Sequence, residues 1–224
     1  MSPRSSFASG GTSLASSRTA TPAAAPTHGA VELVTIGASA GGVEVLSTLL
    51  TALPADFPAA VAIVLHIPPD RDSLLPALFA PRCALPVKEV EDKAPIEAGT
   101  VYFAAPDYHM LVEPDGSFAL SQDEAVNYSR PSIDLLFESA AVAYRERLLA
   151  IVLTGGSADG ASGLKTVREM GGRAWVQDPA SADAPAMPGF AIERAGADLV
   201  TGPAALARSL AALAHTIPPV SRDR

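Results

Sequence analysis

The stretch VELVTIGASAGG, residues 31–42, decides how the chain folds. Its first half, VELVTIG, is a short apolar run of strand length. Its second half consists of glycine, alanine and one serine, and then Val43, Leu46, Leu49, Leu50 and Leu53 recur at helical spacing until Pro54 stops the helix. A strand that passes through a tight, small-residue turn into a helix is the opening unit of an α/β sheet.

The alternation continues on the C-terminal side. Residues 59–67 read as a buried strand ended by two prolines, and Leu74, Leu75, Leu78 and Phe79 suggest a second helix. That helix accommodates Pro76 only with a shifted start or a kink. Residues 101–104 and 109–112 read as short β segments, and Asp115-Gly116 before residues 118–120 signals a hairpin, so an antiparallel insertion is expected there. Ser132 stands as N-cap of a helix in which Ile133, Leu136, Phe137, Ala140 and Tyr144 share a face. A strand over 148–153 leads through a glycine-rich loop to a helix ended by Gly171-Gly172. A strand over 174–176, a short helix over 188–194, a strand over 198–200 and a final helix over 203–215 complete the pattern. The expected fold is α/β: a three-layer, doubly wound, mostly parallel sheet with an antiparallel hairpin insertion and right-handed crossovers. In such sheets ligands bind at the carboxyl ends of the strands, near a switch in strand order.

Composition bounds the rest. The 224 residues, 48% of them hydrophobic, suit one α/β domain, expected over 30–215. Residues 1–29, rich in Ser, Ala, Thr, Gly and Pro, are expected to be a disordered tail, and 216–224 a C-terminal tail. The net charge of −8 argues against nucleic acid as partner, because a phosphate backbone demands a basic face. The longest apolar runs fall far short of the roughly 20 residues that span a bilayer, so no membrane insertion is expected. One cysteine, Cys83, allows no intrachain disulfide and no thiolate zinc cluster, and a reducing cytoplasm is the simplest location.

Three residues carry the expected chemistry. Residues 37–41 have the G-x-S-x-G spacing, which exposes a serine hydroxyl on a tight turn at a helix N-terminus whose free N–H groups can stabilise an oxyanion. Ser39 is therefore a candidate nucleophile. Taken alone, the pentapeptide equally fits a helix cap or a phosphate-binding turn, although neither the Gly-Lys-Ser/Thr of a P-loop nor the G-x-G-x-x-G spacing follows. A serine needs a base, and His66 closes a buried strand, so it emerges at the same edge as Ser39. His28 and His215 lie near the ends, and His109, at the start of a hairpin strand, reads as structural. Asp159, in the loop after residues 148–153, comes to that edge too and can orient the imidazole.

The segments IGASAGG (36–42), LHIP (65–68), RPSIDLLF (130–137) and LTGGSADGA (153–161), in this order, resemble the CheB protein-glutamate methylesterase catalytic domain over about residues 31–200. The resemblance implies a cytoplasmic serine hydrolase of chemotaxis signal transduction. Its catalytic triad is Ser39 as nucleophile, His66 as base and Asp159 as orienting acid, acting without metal or organic cofactor. The implied substrates are glutamyl methyl esters on methyl-accepting chemotaxis receptors, with glutamine deamidation as a related activity. Departures from the family pattern are Ala40, where Thr is common, and Gly156, where Met is common. Residues 178–188 resemble the segment beside the active site, where Met187 either lines the site or simply packs. Only the short tail precedes Val31, so the expectation is a stand-alone catalytic domain without the family's receiver domain, leaving a separate receiver protein as a potential regulator. Two alternatives are a small-molecule carboxylesterase, disfavoured because the α/β-hydrolase fold orders its triad Ser, Asp or Glu, His, and a non-catalytic chemosensory interaction module.

Overall fold

A computed structural model describes residues 30–67 and 74–215. The expectations of tails over 1–29 and 216–224 lie outside the described residues. Seven strands form one sheet in the order β3 (Val87–Glu89), β4 (Val101–Phe103), β2 (Ala60–Leu65), β1 (Leu33–Ala38), β7 (Leu148–Val152), β8 (Arg173–Gln177) and β9 (Leu199–Thr201). All six neighbouring pairs are parallel. The chain builds outward from β1 on one side and then returns to lay β7 against its other edge, so the strand order switches between β1 and β7.

Each strand alternates between two apolar layers, the pattern of a sheet covered on both faces. Val34, Ile36, Val61, Ile63, Leu149 and Ile151 pack with α1 (Gly42–Thr51), α2 (Leu75–Phe79) and α6 (Pro203–Ala211). Leu33, Ala60, Ala62, Val64, Ala150 and Val152 pack with α3 (Ile133–Tyr144), α4 (Ala161–Glu169) and α5 (Ala186–Ala195). Each fully buried Leu, Ile or Phe of these layers contributes roughly 1.5–3 kcal/mol relative to exposure. The second face is built largely from small residues, which lets α3 approach closely. A Cβ on Gly37 would lie 2.3 Å from Ile133 Cγ2, so this glycine makes room for the start of α3 directly over the central strand.

One expectation is corrected, one element is new, and one open alternative is decided. Residues 101–103 belong to the main sheet as the parallel strand β4; the antiparallel insertion is confined to β5 (His109–Val112) and β6 (Phe118–Ser121), which form a separate two-stranded sheet. β3, which pairs only with β4, was not foreseen, because its sequence Val-Lys-Glu puts two exposed charged residues on a sheet edge. Pro76 needs no kink, since α2 starts at Leu75 and the proline falls in the first turn, where its missing N–H loses no helical bond. Among the described residues no helix is long and apolar enough to cross a membrane.

Candidate active site

Ser39, His66 and Asp159 lie beyond the carboxyl ends of β1, β2 and β7, three adjacent strands that straddle the switch in strand order. Ala38 is in register with Leu65, so Ser39 and His66 leave the sheet side by side, and the His66 N–H donates to Ala38 O at 3.0 Å.

The serine turn is held from β7 and β8. The Ser39 N–H donates to Thr154 O (2.9 Å), and Thr154 Oγ1 donates to Ala40 O (2.9 Å) while accepting from the Ala184 N–H. The Thr154 N–H is itself received by the buried side chain of Gln177. The motif's two glycines do different work. Gly37 accommodates Ile133, whereas Gly41 takes the left-handed backbone (φ 77°) that turns the chain into α1, with the Asp183 carboxylate where a Cβ would stand. Ser39 itself does not adopt positive φ, unlike the strained serine of an α/β-hydrolase elbow. Gly155 backs the serine: a Cβ there would lie 2.9 Å from Ser39 Cβ and 2.6 Å from the Met187 sulfur. Met187 is buried, packing across Gly155 next to the nucleophile position. Ser39 remains partly exposed, and Ala40, just before the N-cap of α1, is exposed. Gly156, where the resembled family commonly carries Met, is exposed, and a Cβ there meets nothing within 4 Å.

His66 Nε2 lies 3.0 Å from Asp159 Oδ2. Among the described residues no hydrogen bond joins the Ser39 hydroxyl to the ring, which leaves Nδ1 as the nitrogen not engaged by the carboxylate. That is the reverse of the serine-protease arrangement, in which Nδ1 faces the acid. Asp159 is fully buried and sits against the N-terminus of α3: Oδ2 accepts from the Ile133 N–H (2.7 Å), and Oδ1 accepts from the Asp134 N–H (3.1 Å) and from Ser132 Oγ (2.9 Å). Burial pushes the Asp159 carboxyl upward, but the hydrogen bonds from His66 and from the Ile133 and Asp134 amides outweigh it and hold its pKa below the ordinary value.

A second carboxylate completes the arrangement. Asp134, in the first turn of α3, accepts from the Gly163 N–H of α4 at 2.7 Å. Each acid thus serves the N-terminus of the other's helix: Asp159, just before α4, binds α3, and Asp134, in α3, binds α4. The Asn127 amide donates to both, at 2.9 Å to Asp134 Oδ2 and 3.4 Å to Asp159 Oδ1. Burial and then the neighbouring Asp159 charge raise the pKa of Asp134, against the lowering effect of the Gly163 amide. His109 is buried and remote from Ser39 in role: its Nδ1 accepts from the Ser132 N–H (3.1 Å) and its Nε2 pairs with Glu124 O (3.2 Å), so the ring holds the α3 cap in place. Sequence reasoning had singled out Ser132 only as a cap. The partnerships of Asn127, Asp134, Thr154 and Gln177 carry no local signal, because each joins residues distant in the chain.

Beside His66 opens a cavity of about 310 Å³, lined by His66, Ile67, Asp107, Tyr128, Arg130 and Pro131 among others. A larger, shallow hollow of about 560 Å³ along α1 shares no residue with this site.

Known proteins share this fold and sequence. The family model described as CheB methylesterase matches residues 34–210. The chain is similar to the crystal structure of the Thermotoga maritima CheB methylesterase catalytic domain, with a TM-score of 0.78 and 32% identity, covering 82% of this chain and 98% of that one. A Trichodesmium erythraeum protein named protein-glutamate methylesterase/protein-glutamine glutaminase is 36% identical over 173 residues, which are 76% of this chain and 49% of that protein. A Leptospira interrogans protein, whose name assigns the same two activities provisionally, is 44% identical over 169 residues, covering 75% of this chain and 88% of its own length.

Proposed function

The chain belongs to the CheB methylesterase family, and we propose on that footing that it hydrolyses glutamyl methyl esters on methyl-accepting chemotaxis receptors in the cytoplasm, with residues 30–215 as the catalytic unit. Ser39 Oγ attacks the ester carbonyl carbon while His66 Nδ1 takes the hydroxyl proton. The oxyanion faces the N–H groups of Ala40 and Gly41 at the start of α1, where the helix dipole favours negative charge. The C–O bond to the methoxy group breaks, His66 returns the proton to that oxygen, and methanol leaves. Water, deprotonated by the same imidazole, then releases the glutamate carboxylate and restores Ser39. Asp159 keeps its negative charge throughout, steadying the imidazolium and fixing the ring.

The observation that carries this reading is the 3.0 Å contact between His66 and the buried Asp159, with a partly exposed serine leaving the adjacent strand. An imidazole so oriented next to a hydroxyl on a tight turn has the parts for acyl transfer. Glutamine deamidation follows the same steps with ammonia as leaving group. The relatives' paired names support including it.

The test is methanol release from radiomethylated receptor membranes. Ser39→Ala is expected to reduce release by several orders of magnitude while leaving circular dichroism and thermal midpoint unchanged. Wild-type-like release by that variant sinks the assignment.

A further inference from the structure

Tyr128 is fully exposed, more so than any other large hydrophobic side chain among the described residues, and it lines the cavity that His66 shares. Its backbone is also strained. Val126 and Ser129 exchange both backbone hydrogen bonds (3.1 and 2.9 Å), and the two residues between them, Asn127 and Tyr128, have φ of 51° and 62°. A two-residue turn of this kind needs positive φ at both positions and is met most cheaply by Asn-Gly. Asn127 satisfies the first position. Tyr128 occupies the second, where a bulky side chain is unfavourable and glycine is free of strain.

The turn is not loose. The Asn127 amide ties it to Asp134 and Asp159, and on the far side Arg130 is locked by Nε and Nη2 bonds to Asp107 (2.9 and 2.7 Å) and by Nη1 bonds to Gln122 O and Asp123 O. The aromatic ring therefore stands in water on a platform anchored to the carboxylate that orients the candidate base. Strain retained at a solvent-facing aromatic on an anchored turn has no return within the folded chain, since the ring packs on nothing there. It is explained by what the ring contacts when the protein is working. Exposed tyrosines are efficient contact residues because covering their large ring fixes only two side-chain torsions.

We propose that Tyr128 is a specificity-determining residue that docks the polypeptide flanking the scissile glutamyl ester. This rests on the methylesterase reading above. The cavity of about 310 Å³ is far larger than the one-carbon alcohol portion of a methyl ester, so it has room for neighbouring substrate residues. With Ile67 and Pro131 among its lining and the Arg130 charge matched by Asp107, it suits the aliphatic stems of a protein surface better than a free ion.

The experiment compares the wild-type protein, Tyr128→Gly and Tyr128→Phe on two substrates: radiomethylated receptor membranes and a small soluble N-acylglutamate γ-methyl ester. For Tyr128→Gly, kcat/KM on receptor is expected to fall about ten-fold, mainly through KM. Turnover of the small ester should stay at the wild-type level, and the thermal midpoint should not fall, because glycine accepts φ 62° without strain. Tyr128→Phe should keep receptor activity, the ring being the docking element. Receptor activity of the glycine variant within two-fold of wild type, or a parallel loss on both substrates, overturns the proposal. Absence of methanol release by the wild-type protein on both substrates is a different result: it overturns the hydrolase reading itself, and the docking role with it.

Discussion

The N-termini of α1 and α3 meet at one edge of the sheet and are treated in opposite ways. At α3 the Ile133 and Asp134 amides and the Ser132 hydroxyl close on a buried carboxylate of the protein itself, Asp159. At α1 the capping residue is Gly41, no side chain caps the helix, and Ala40 is exposed. The positive end of a helix attracts anions in both cases. A permanent anion out of water needs several donors to stay ionised, which α3 supplies. A transient anion that forms only during reaction needs donors left accessible, which is the condition of α1. Under the proposed hydrolysis, the contrast separates the part of the site that must not change from the part that must receive substrate.

The contrast is broken most severely at the sealed end. Asp159→Asn leaves the shape but removes the charge that stabilises the imidazolium, and kcat for methanol release is expected to fall roughly 10⁴-fold. The same variant carries a pH signature. The native pKa of Asp159 is depressed, so its stabilising contribution is fully present above the unfolded Asp value near 4 and is lost as pH falls through the lower native value. The difference in urea midpoint between wild type and Asp159→Asn should therefore narrow below about pH 4. A difference that is constant from pH 7 to pH 3 would show that α3 does not hold an ionised acid.

A smaller effect is expected from Ser132→Ala, which deletes the α3 cap and one bond to Asp159 Oδ1. Stability should drop by about 1–2 kcal/mol in chemical denaturation. Because Asp159 loses a donor, kcat should fall as well, by about ten-fold, with KM little changed. Unchanged kcat would mean that the remaining amides suffice. At the open end the stability effect is similar in size, with no loss of the bonds to Asp159. Gly41→Ala forces an alanine into the left-handed region and against Asp183, costing about 1–2 kcal/mol by denaturation. The double variant with Asp183→Ala should recover only the steric share of that loss, and full recovery would show that φ at this position carries no strain.

Much of this was legible in the sequence because the signals were local. Residues 31–42 show a strand, a turn and a helix in one reading; Ser39 and His66 closely follow an apolar run of strand length, and Asp159 lies in the glycine-rich loop after another. The residues that hold them were not legible, for a physical reason. Thr154 reaches Ala40 across 114 residues of sequence, and Asn127 reaches Asp159 across 32. Such bonds depend on which strands become neighbours, which no periodicity records. Asp134 was hidden differently: an acid in the first turn of a helix is ordinary at a surface, and only the packing of α3 on α4 buries it. Gly37 was read correctly as strand, but its reason was hidden: the missing side chain admits Ile133.

The exchange of acids between α3 and α4 carries a further consequence. Because Asp159 closes one helix and Asp134 the other, the acid that steers the imidazole is also a clasp between two pieces of scaffold. Fraying of α3 would withdraw amide donors from the carboxylate that contacts His66. On the proposed mechanism Asp159 is not separable into support and chemistry: the side chain that fastens α3 also aims the imidazole, while Asp134 acts on it only through Asn127 and the helices.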